Sequence, residues 1–267
     1  MDEISLGDIV ARKSYGRDVM FEVVNILKIQ NEKIAILKGI IERIEADSKL
    51  NDLEKISQSQ VEEKLKQFDE NFNKKIVEYR NRNDFIKGRI LHLDGDKKYT
   101  EKSYKYYRRL GLNVVVQNVI ENKQPQVVRY LLKKYEPDIL VITGHDSLLK
   151  KNRGYNNVNN YKNSKYFIET VKKARQVDTK NKIAIVAGAC QSFYEGLILA
   201  GANFASSPGR ILIDFTDPLI IAKKIANVPK NRYITIEDVE KELKNGRRGM
   251  SGIGTFGKMR PCNTSVT

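Results

Sequence analysis

The feature that most constrains the fold is an alternation of short apolar runs and longer helix-like stretches from residue 85 onward. Short apolar runs with helical spacers are typical of a mostly parallel sheet that helices cover on both faces. The predicted strands are residues 89–94, 112–119, 138–143, 183–186, 202–205 and 211–215. The predicted helices are residues 99–110, 125–135, 164–176, 191–200 and 218–226. We therefore expect an α/β domain over residues 85–267.

The first part of the chain has a different pattern. Several short β-like runs, separated by polar or Gly-bearing breaks, occupy residues 5–45 and favour a small SH3-like β-barrel over residues 1–52. Residues 53–84 contain no Gly or Pro and carry apolar side chains at helical spacing. This spacing predicts a helical linker between the barrel and the α/β domain.

The apolar content, the cysteine count and the charge of the chain limit the classes of protein to which it can belong. No apolar stretch approaches the length of a membrane span, and the acidic start does not resemble a signal peptide. With only two Cys, a disulfide framework or a Cys-rich zinc site is not expected, so we expect a reducing compartment, no metal and no cofactor. The net charge of +15 first suggests nucleic acid or another polyanion as a partner.

The basic surplus is regional, which argues against nucleic acid as the partner. Residues 1–55 hold nine Lys and Arg against eleven Asp and Glu, a net charge of −2. Residues 150–182 hold ten Lys and Arg against two acids, a net charge of +8. The small barrel, which is the part most like an RNA-binding module, is therefore slightly acidic.

Two reactive side chains follow neighbouring predicted strands. His145 comes directly after the third strand, and Cys190 comes after the fourth. Parallel strands end at the same edge of a sheet, which is where chemistry collects in such folds. A Cys nucleophile needs a base near neutral pH, and imidazole has a suitable pKa. The sequence therefore predicts a Cys190–His145 dyad, with the N–H groups of Gly144 and Cys190 as oxyanion donors.

Other interpretations of these residues remain open. Cys190 could be a small buried apolar residue, and His145 could be a loop residue with a structural role. His92, inside a predicted strand, is expected to be structural, and Cys262 has no strand to position it. The alternative to an enzyme is a non-enzymatic assembly or nucleic-acid-binding protein in which the charge is the function.

The order of His and Cys along the chain distinguishes between families of thiol enzymes. Papain-like enzymes and α/β glutamine amidotransferases have Cys before His, whereas here no His follows Cys190. Caspase-like peptidases have the order found here, and their Cys motif matches Ala189-Cys190-Gln191 in part. We therefore expect a caspase-like three-layer sandwich.

Several blocks together resemble the YabG family of sporulation-specific cysteine proteases of spore-forming Firmicutes. The blocks are GRILHLDGD (residues 88–96), PDILVITGHD (137–146), NSKYF (163–167), AGACQS (187–192) and AGANFASSP (200–208). The resemblance implies a peptidase that processes spore coat, germination-related and cortex-lytic precursor proteins next to Arg. It also implies Cys190 as nucleophile, His145 as base, and a cytoplasmic location in the mother cell with association to the spore coat.

Arg specificity requires a carboxylate near the site. Asp94, at the end of the first α/β strand, is the preferred candidate, and Asp146 and Asp214 are the others. The stretch between His145 and Cys190 contains Lys150, Lys151 and Arg153, so an enzyme that cuts at basic residues is also expected to cut itself there.

Overall fold

A computed structural model describes residues 3–29, 32–76, 85–149 and 154–262, with the backbone alone for residues 71–76. The chain divides into two compact units, residues 1–77 and 78–267. The predicted boundaries at residues 52 and 84 remain predictions, and residues 77–84 of the predicted linker lie outside the described ranges. None of the helices within these ranges is long and apolar enough to cross a membrane.

The first unit contains a five-stranded antiparallel sheet in the order β4-β3-β2-β1-β5. Its strands are β1 (Ile9–Arg12), β2 (Phe21–Ile29), β3 (Glu32–Gly39), β4 (Glu45–Lys49) and β5 (Leu53–Lys55), and α1 (Gln58–Ile76) follows. Alternate side chains such as Phe21, Val23 and Leu37 are buried, as period-two patterning requires. The predicted run of short strands is confirmed and forms an antiparallel sheet, while the SH3-like identity remains a prediction.

The second unit is built on a six-stranded sheet in the order β13-β11-β10-β9-β7-β8. Five of these strands are parallel, and β13 pairs antiparallel with β11. The sheet strands are β7 (Ile90–Asp94), β8 (Val114–Asn118), β9 (Ile139–Thr143), β10 (Ala184–Ala187), β11 (Phe204–Ser206) and β13 (Met250–Gly252). The predicted mostly parallel sheet is therefore confirmed.

Two small strand pairs complete the second unit. They are β12 (Tyr233–Ile234) with β14 (Thr255–Phe256), and β6 (Phe85–Ile86) with β15 (Arg260–Pro261). The second pair joins the first described residues of this unit to almost its last.

Helices cover both faces of the sheet. The helices are α2 (Lys97–Arg109), α3 (Gln124–Tyr135), α4 (Ser164–Val177), α5 (Tyr194–Leu199), α6 (Asp217–Asn227) and the short α7 (Gly246–Gly249). Helices α3, α4 and α5 pack with one set of strand side chains, including Leu91, Leu140 and Ile185. Helices α2 and α6 contact each other and lie on the opposite face. The fold is thus the predicted three layers, and the caspase-like identity remains a prediction.

Two predicted elements differ from the structure. The predicted strand over residues 211–215 is an irregular segment, because Ile213 and Phe215 are buried by packing rather than by strand pairing. The predicted helix over residues 191–200 is reduced to α5, which begins only at Tyr194. The chain therefore turns for several residues after Cys190 before it becomes helical.

The strand order sets the location of a site. The chain runs from β7 to β8 on one side and then to β9 on the other, so the order reverses between β7 and β9. In open parallel sheets, the crevice at such a reversal, outside the carboxyl ends of the strands, is the usual binding site. We therefore expect the functional site among the residues that follow β7, β9 and β10.

Candidate active site

His145 and Cys190 follow adjacent parallel strands. Ile142 of β9 is paired with Ala187 of β10, and each of the two residues lies three positions beyond its paired residue. Both side chains are buried, with His145 1% exposed and Cys190 0% exposed. The two residues therefore follow the carboxyl ends of neighbouring strands at the same edge of the sheet.

The chain segments around the two residues are connected directly. Ser192 Oγ donates to Asp146 Oδ2 at 2.9 Å, and the Leu148 N–H donates to Gln191 Oε1 at 3.3 Å. The Gly188 N–H donates to the Ile142 carbonyl at 2.9 Å. The residues next to His145 therefore contact the residues next to Cys190.

The turn that carries Cys190 has an unusual backbone. Gly188 has a φ of +107°, and a Cβ there would overlap Ser206 Oγ, so only Gly fits. Gln191, directly after Cys190, has a φ of +56°, which L-residues adopt rarely. Its N–H donates to Ser207 Oγ at 3.1 Å and to the Ile211 carbonyl at 3.3 Å. Bonds to the segment after β11 thus hold this strained turn.

The Cys190 thiol is covered by the main chain of Ile213. The Ile213 N–H donates to Sγ at 3.4 Å, and Sγ donates to the Ile213 carbonyl at 3.6 Å. Ile213 belongs to the β11–α6 loop, residues 207–216. Phe215 of the same loop contacts Tyr99, whose ring also meets the His145 ring edge-on at 5.7 Å between centroids.

Asp146 connects three parts of the site. Its Oδ1 accepts the N–H groups of Ser147 and Asn163, at 2.9 and 2.8 Å. Its Oδ2 accepts the Ser164 hydroxyl at 2.5 Å as well as the Ser192 hydroxyl. Complete burial raises the pKa of Asp146 to about 6, although these hydrogen bonds oppose the shift. This carboxyl joins the His145 loop, the start of α4 and the Cys190 turn.

Ser192 extends this connection to the backbone next to the thiol. The Ala189 N–H donates to Ser192 Oγ at 2.9 Å, and the Phe193 N–H donates to Ser164 Oγ at 2.8 Å. Asp146 thus acts on the Cys190 turn from both sides through two hydroxyl groups. Neither serine was a candidate in the sequence, because no spacing pattern marks them.

Asp94 lies in a buried polar network. Its Oδ2 accepts the Thr143 hydroxyl at 2.8 Å, and its Oδ1 accepts the Asp96 N–H at 2.9 Å. His92 Nε2 lies 2.6 Å from the same Thr143 hydroxyl, and the Tyr107 hydroxyl lies 3.3 Å from His92 Nδ1. Asp94 and His92 are both 0% exposed. This network ties the ends of β7 and β9 together beneath the strand edge.

Asp214 is the most accessible of the three candidate carboxylates. It is half-buried, directly follows Ile213, and so lies one residue from the main chain that covers the thiol. Its Oδ1 accepts the N–H and the hydroxyl of Thr216, at 2.9 and 2.8 Å. These bonds use one of the two carboxylate oxygens.

Glu121 is a further acidic residue at the strand edge, and the sequence analysis did not single it out. Its Oε1 accepts the N–H of His145 at 2.8 Å. A Cβ on Gly95 or on Gly144 would overlap its carboxylate. Glu121 stands in a polar stretch between β8 and α3, where only the glycines after β7 and β9 could have indicated a close approach.

These contacts bear on the two N–H groups that were predicted as oxyanion donors. The His145 N–H, adjacent to Gly144, donates to Glu121, so the N–H of Gly144 itself is the candidate on that strand. On the other strand the predicted donor is the N–H of Cys190. It belongs to a turn that precedes α5 by several residues, so the expected helix N-terminus at Cys190 is not present.

Other sequence candidates lie apart from this group. Cys262 is exposed near the end of the described chain, on the far side of β15 in sequence. Lys150, Lys151 and Arg153 lie outside the described residues. Within the described ranges, no group of three or more His, Cys, Asp and Glu side chains is arranged to hold a metal ion.

Comparison with known proteins gives a consistent picture. A family model described as YabG peptidase U57 matches residues 5–263. The sporulation-specific protease YabG of Bacillus subtilis (strain 168) is 36% identical over 281 aligned positions, which cover 97% of this chain and 97% of that protein. No solved structure matches the chain.

Proposed function

Because this chain belongs to the YabG family of sporulation peptidases, we propose that it is a cysteine endopeptidase with Cys190 as nucleophile and His145 as general base. The observation that supports the proposal most is the register of β9 and β10, because paired residues of these strands precede His145 and Cys190 by the same number of positions. The direct bond between Asp146 and Ser192 supports it, because it keeps the two loops in contact.

The reaction follows the usual course of thiol peptidases. His145 removes the Cys190 proton, and the thiolate attacks the scissile carbonyl carbon. The tetrahedral intermediate collapses to a thioester when the imidazolium protonates the leaving amine. Water, deprotonated by His145, then attacks the thioester and releases the carboxylate product and the thiol. The N–H groups of Gly144 and Cys190 are proposed to stabilise the oxyanion in both steps.

The proposed substrates are spore coat, germination-related and cortex-lytic precursor proteins, cleaved next to Arg. The enzyme is assigned to the mother-cell cytoplasm with association to the spore coat. Family membership favours this peptidase over the non-enzymatic alternative. Nucleic acid is not proposed as a partner.

Removal of either dyad member tests the mechanism. Cys190→Ala and His145→Ala should each lower the cleavage rate of an Arg-containing peptide by roughly a thousandfold or more, since nucleophile and base act as a unit. The measurement is peptide hydrolysis by the folded proteins, with Cys262→Ala as the matched control. Full activity in Cys190→Ala would contradict the proposal.

A carboxylate near the thiol is proposed to bind the substrate Arg. Among Asp94, Asp146 and Asp214, the geometry favours Asp214, because the other two are fully buried and hydrogen-bonded through both oxygens. Asp214→Asn should lower the preference for Arg over Gln peptides by about tenfold or more, because a charge-assisted pair is lost. Asp94→Asn is the comparison, and an unchanged preference in Asp214→Asn together with a lost one in Asp94→Asn would reverse this assignment.

A further inference from the structure

Glu121 lies where the carboxyl ends of β7 and β9 meet. Its carboxylate packs on the main chain of Gly95, the residue after β7, and of Gly144, the residue after β9. A side chain on either glycine would occupy the space of the carboxylate. Two glycines on neighbouring strands therefore make room for one acidic group at the point where the strand order reverses.

The turn that carries Glu121 is fixed to both strands. Gln124, fully buried, donates from Nε2 to the Thr143 carbonyl at 2.9 Å and to the Val119 carbonyl at 3.0 Å. The Val119 N–H donates to the Asp94 carbonyl at 2.8 Å. These bonds fix the backbone on both sides of Glu121 relative to the strand ends.

Glu121 acts on the backbone that carries the proposed base. Its Oε1 accepts the His145 N–H at 2.8 Å, and a hydrogen bond to a carboxylate is stronger than one between neutral groups. On the other side of the residue, Asn163 Nδ2 donates to the His145 carbonyl at 2.8 Å. Both main-chain polar groups of His145 are thus held by side chains from other elements.

We propose that Glu121 is a positioning residue for the peptidase reaction: it fixes the backbone of His145 and thereby the imidazole relative to Cys190. This inference rests on the proposed Cys190–His145 dyad. Errors of about 1 Å in the placement of a reacting group can lower a rate by roughly a hundredfold. Such a role affects the chemical step more than substrate binding.

Kinetics of Glu121 variants test the proposal. Glu121→Ala should lower kcat by roughly 10- to 100-fold and change KM by less than about threefold. Glu121→Gln keeps an oxygen acceptor for the His145 N–H and should recover most of that loss. Glu101→Ala, an exposed acid on α2, is the matched control. A loss in Glu121→Gln as large as in Glu121→Ala would overturn the role, as would a loss of Arg preference.

A double-mutant cycle with Gly95 tests the same contact from the other side. Gly95 has no positive φ, so Ala is tolerated by its backbone, but the added Cβ displaces the carboxylate. Gly95→Ala should lower kcat in the wild-type background and add little in the Glu121→Ala background. Fully additive losses would overturn the proposal.

The outcomes distinguish this inference from the proposed function. Inactive Cys190→Ala and His145→Ala with wild-type kcat in Glu121→Ala would keep the dyad and overturn only the role of Glu121. Full activity in Cys190→Ala would overturn both. If Glu121→Ala does not fold, Glu121→Asp takes its place, since it withdraws the carboxylate by one methylene. Wild-type kcat in folded Glu121→Asp would then overturn the inference.

Discussion

At the scale of single residues, Asp146 joins three segments of the proposed site. Its four hydrogen bonds reach the His145 loop, the start of α4 and the Cys190 turn. A carboxyl that is buried so completely is costly to ionise, and its pKa of about 6 reflects that cost. The protonation of one buried side chain therefore bears on the stability of the whole site.

The pKa of Asp146 predicts a pH dependence of stability. The native protein holds this proton more tightly than the unfolded chain, in which the pKa is near the ordinary 3.8. The contribution of Asp146 to the unfolding free energy should therefore fall by about 3 kcal/mol as pH rises from about 4 to about 6. Urea unfolding across this range measures it.

A comparison of variants isolates that contribution. The fall in unfolding free energy with pH should be smaller in Asp146→Asn, because Asn cannot ionise. It should persist in Glu101→Gln, which replaces an exposed acid in the same unit. Unfolding curves of wild type and Asp146→Asn that stay parallel from pH 4 to pH 7 would contradict the prediction.

Residues at strand ends could be predicted from the sequence, whereas their partners could not. His145 and Cys190 follow apolar runs that mark the strands, so their common edge could be inferred from pattern alone. Glu121, Ser164 and Ser192 come from polar stretches with no periodicity, and they reach the site through tertiary packing. Asp94 was predicted at a strand end, but its burial in a network with Thr143 depends on the register of β7 with β9.

At the scale of elements, the β11–α6 loop covers the thiol. The main chain of Ile213 contacts Sγ, and Cys190 is fully buried beneath it. Under the proposed mechanism, a substrate carbonyl takes the place that this main chain occupies. We therefore expect the loop to move before an acyl group is transferred to Cys190.

Arg210 anchors this loop. Its guanidinium donates to Tyr161 Oη at 2.7 Å and to the carbonyls of Ser207 and Pro208, both at 3.1 Å, and it pairs with Glu195. The rings of Tyr155, Tyr161 and Phe193 surround it at 5.6 to 5.9 Å from their centroids. Only 8% of the Arg210 side chain is exposed.

Loss of this anchor should expose the thiol. Arg210→Ala should raise the rate of Cys190 alkylation by about tenfold or more, because a lost hydrogen bond to a charged group costs about 1.5–3 kcal/mol and favours local opening. Mass spectrometry after brief treatment with iodoacetamide measures this rate. Cys262, already exposed, is an internal control whose rate should not change, and Arg232→Ala removes a surface ion pair for comparison. Equal rates of Cys190 alkylation in Arg210→Ala and in wild type would contradict the role of Arg210 in holding the β11–α6 loop over the thiol.

The same loop marks the limit of sequence-based prediction for elements. Alternating apolar residues at 211, 213 and 215 predicted a strand, but among the described residues no strand pairs with this segment. The position beside β11 is taken by β13, which lies more than thirty residues further along the chain. The pattern correctly indicated burial but not the partner.

At the scale of the whole molecule, positive charge is concentrated in the second part of the chain. Residues 1–55 carry a net charge of −2, whereas residues 150–182 carry +8. The exposed basic residues of α3 and α4, among them Lys133, Lys134 and Lys172, contribute to the basic surface that faces solvent. Under the proposed cleavage next to Arg, the chain carries many candidate bonds of its own.

Self-cleavage is the prediction that follows at this scale. Wild-type protein should accumulate fragments cut after Lys or Arg between residues 147 and 163, because a connecting segment rich in these residues is a good substrate. Cys190→Ala should remain intact under the same conditions. Intact-mass spectrometry of the two proteins, purified side by side, makes the comparison, and identical masses would rule the prediction out.

The pairing of β6 with β15 has a consequence for the timing of activity in the cell. Residues 85–86 cannot form this pair until residues 260–261 have been synthesised. In the same way, β11 cannot pair with β13 until β13 has been synthesised. Chains emerge from the ribosome in order, and domains fold as units, the earlier ones first. The amino-terminal sheet can fold while synthesis continues, but the second unit is completed only after residue 261 has been synthesised. Under the proposed function, we therefore expect a nascent chain to gain activity only after that point.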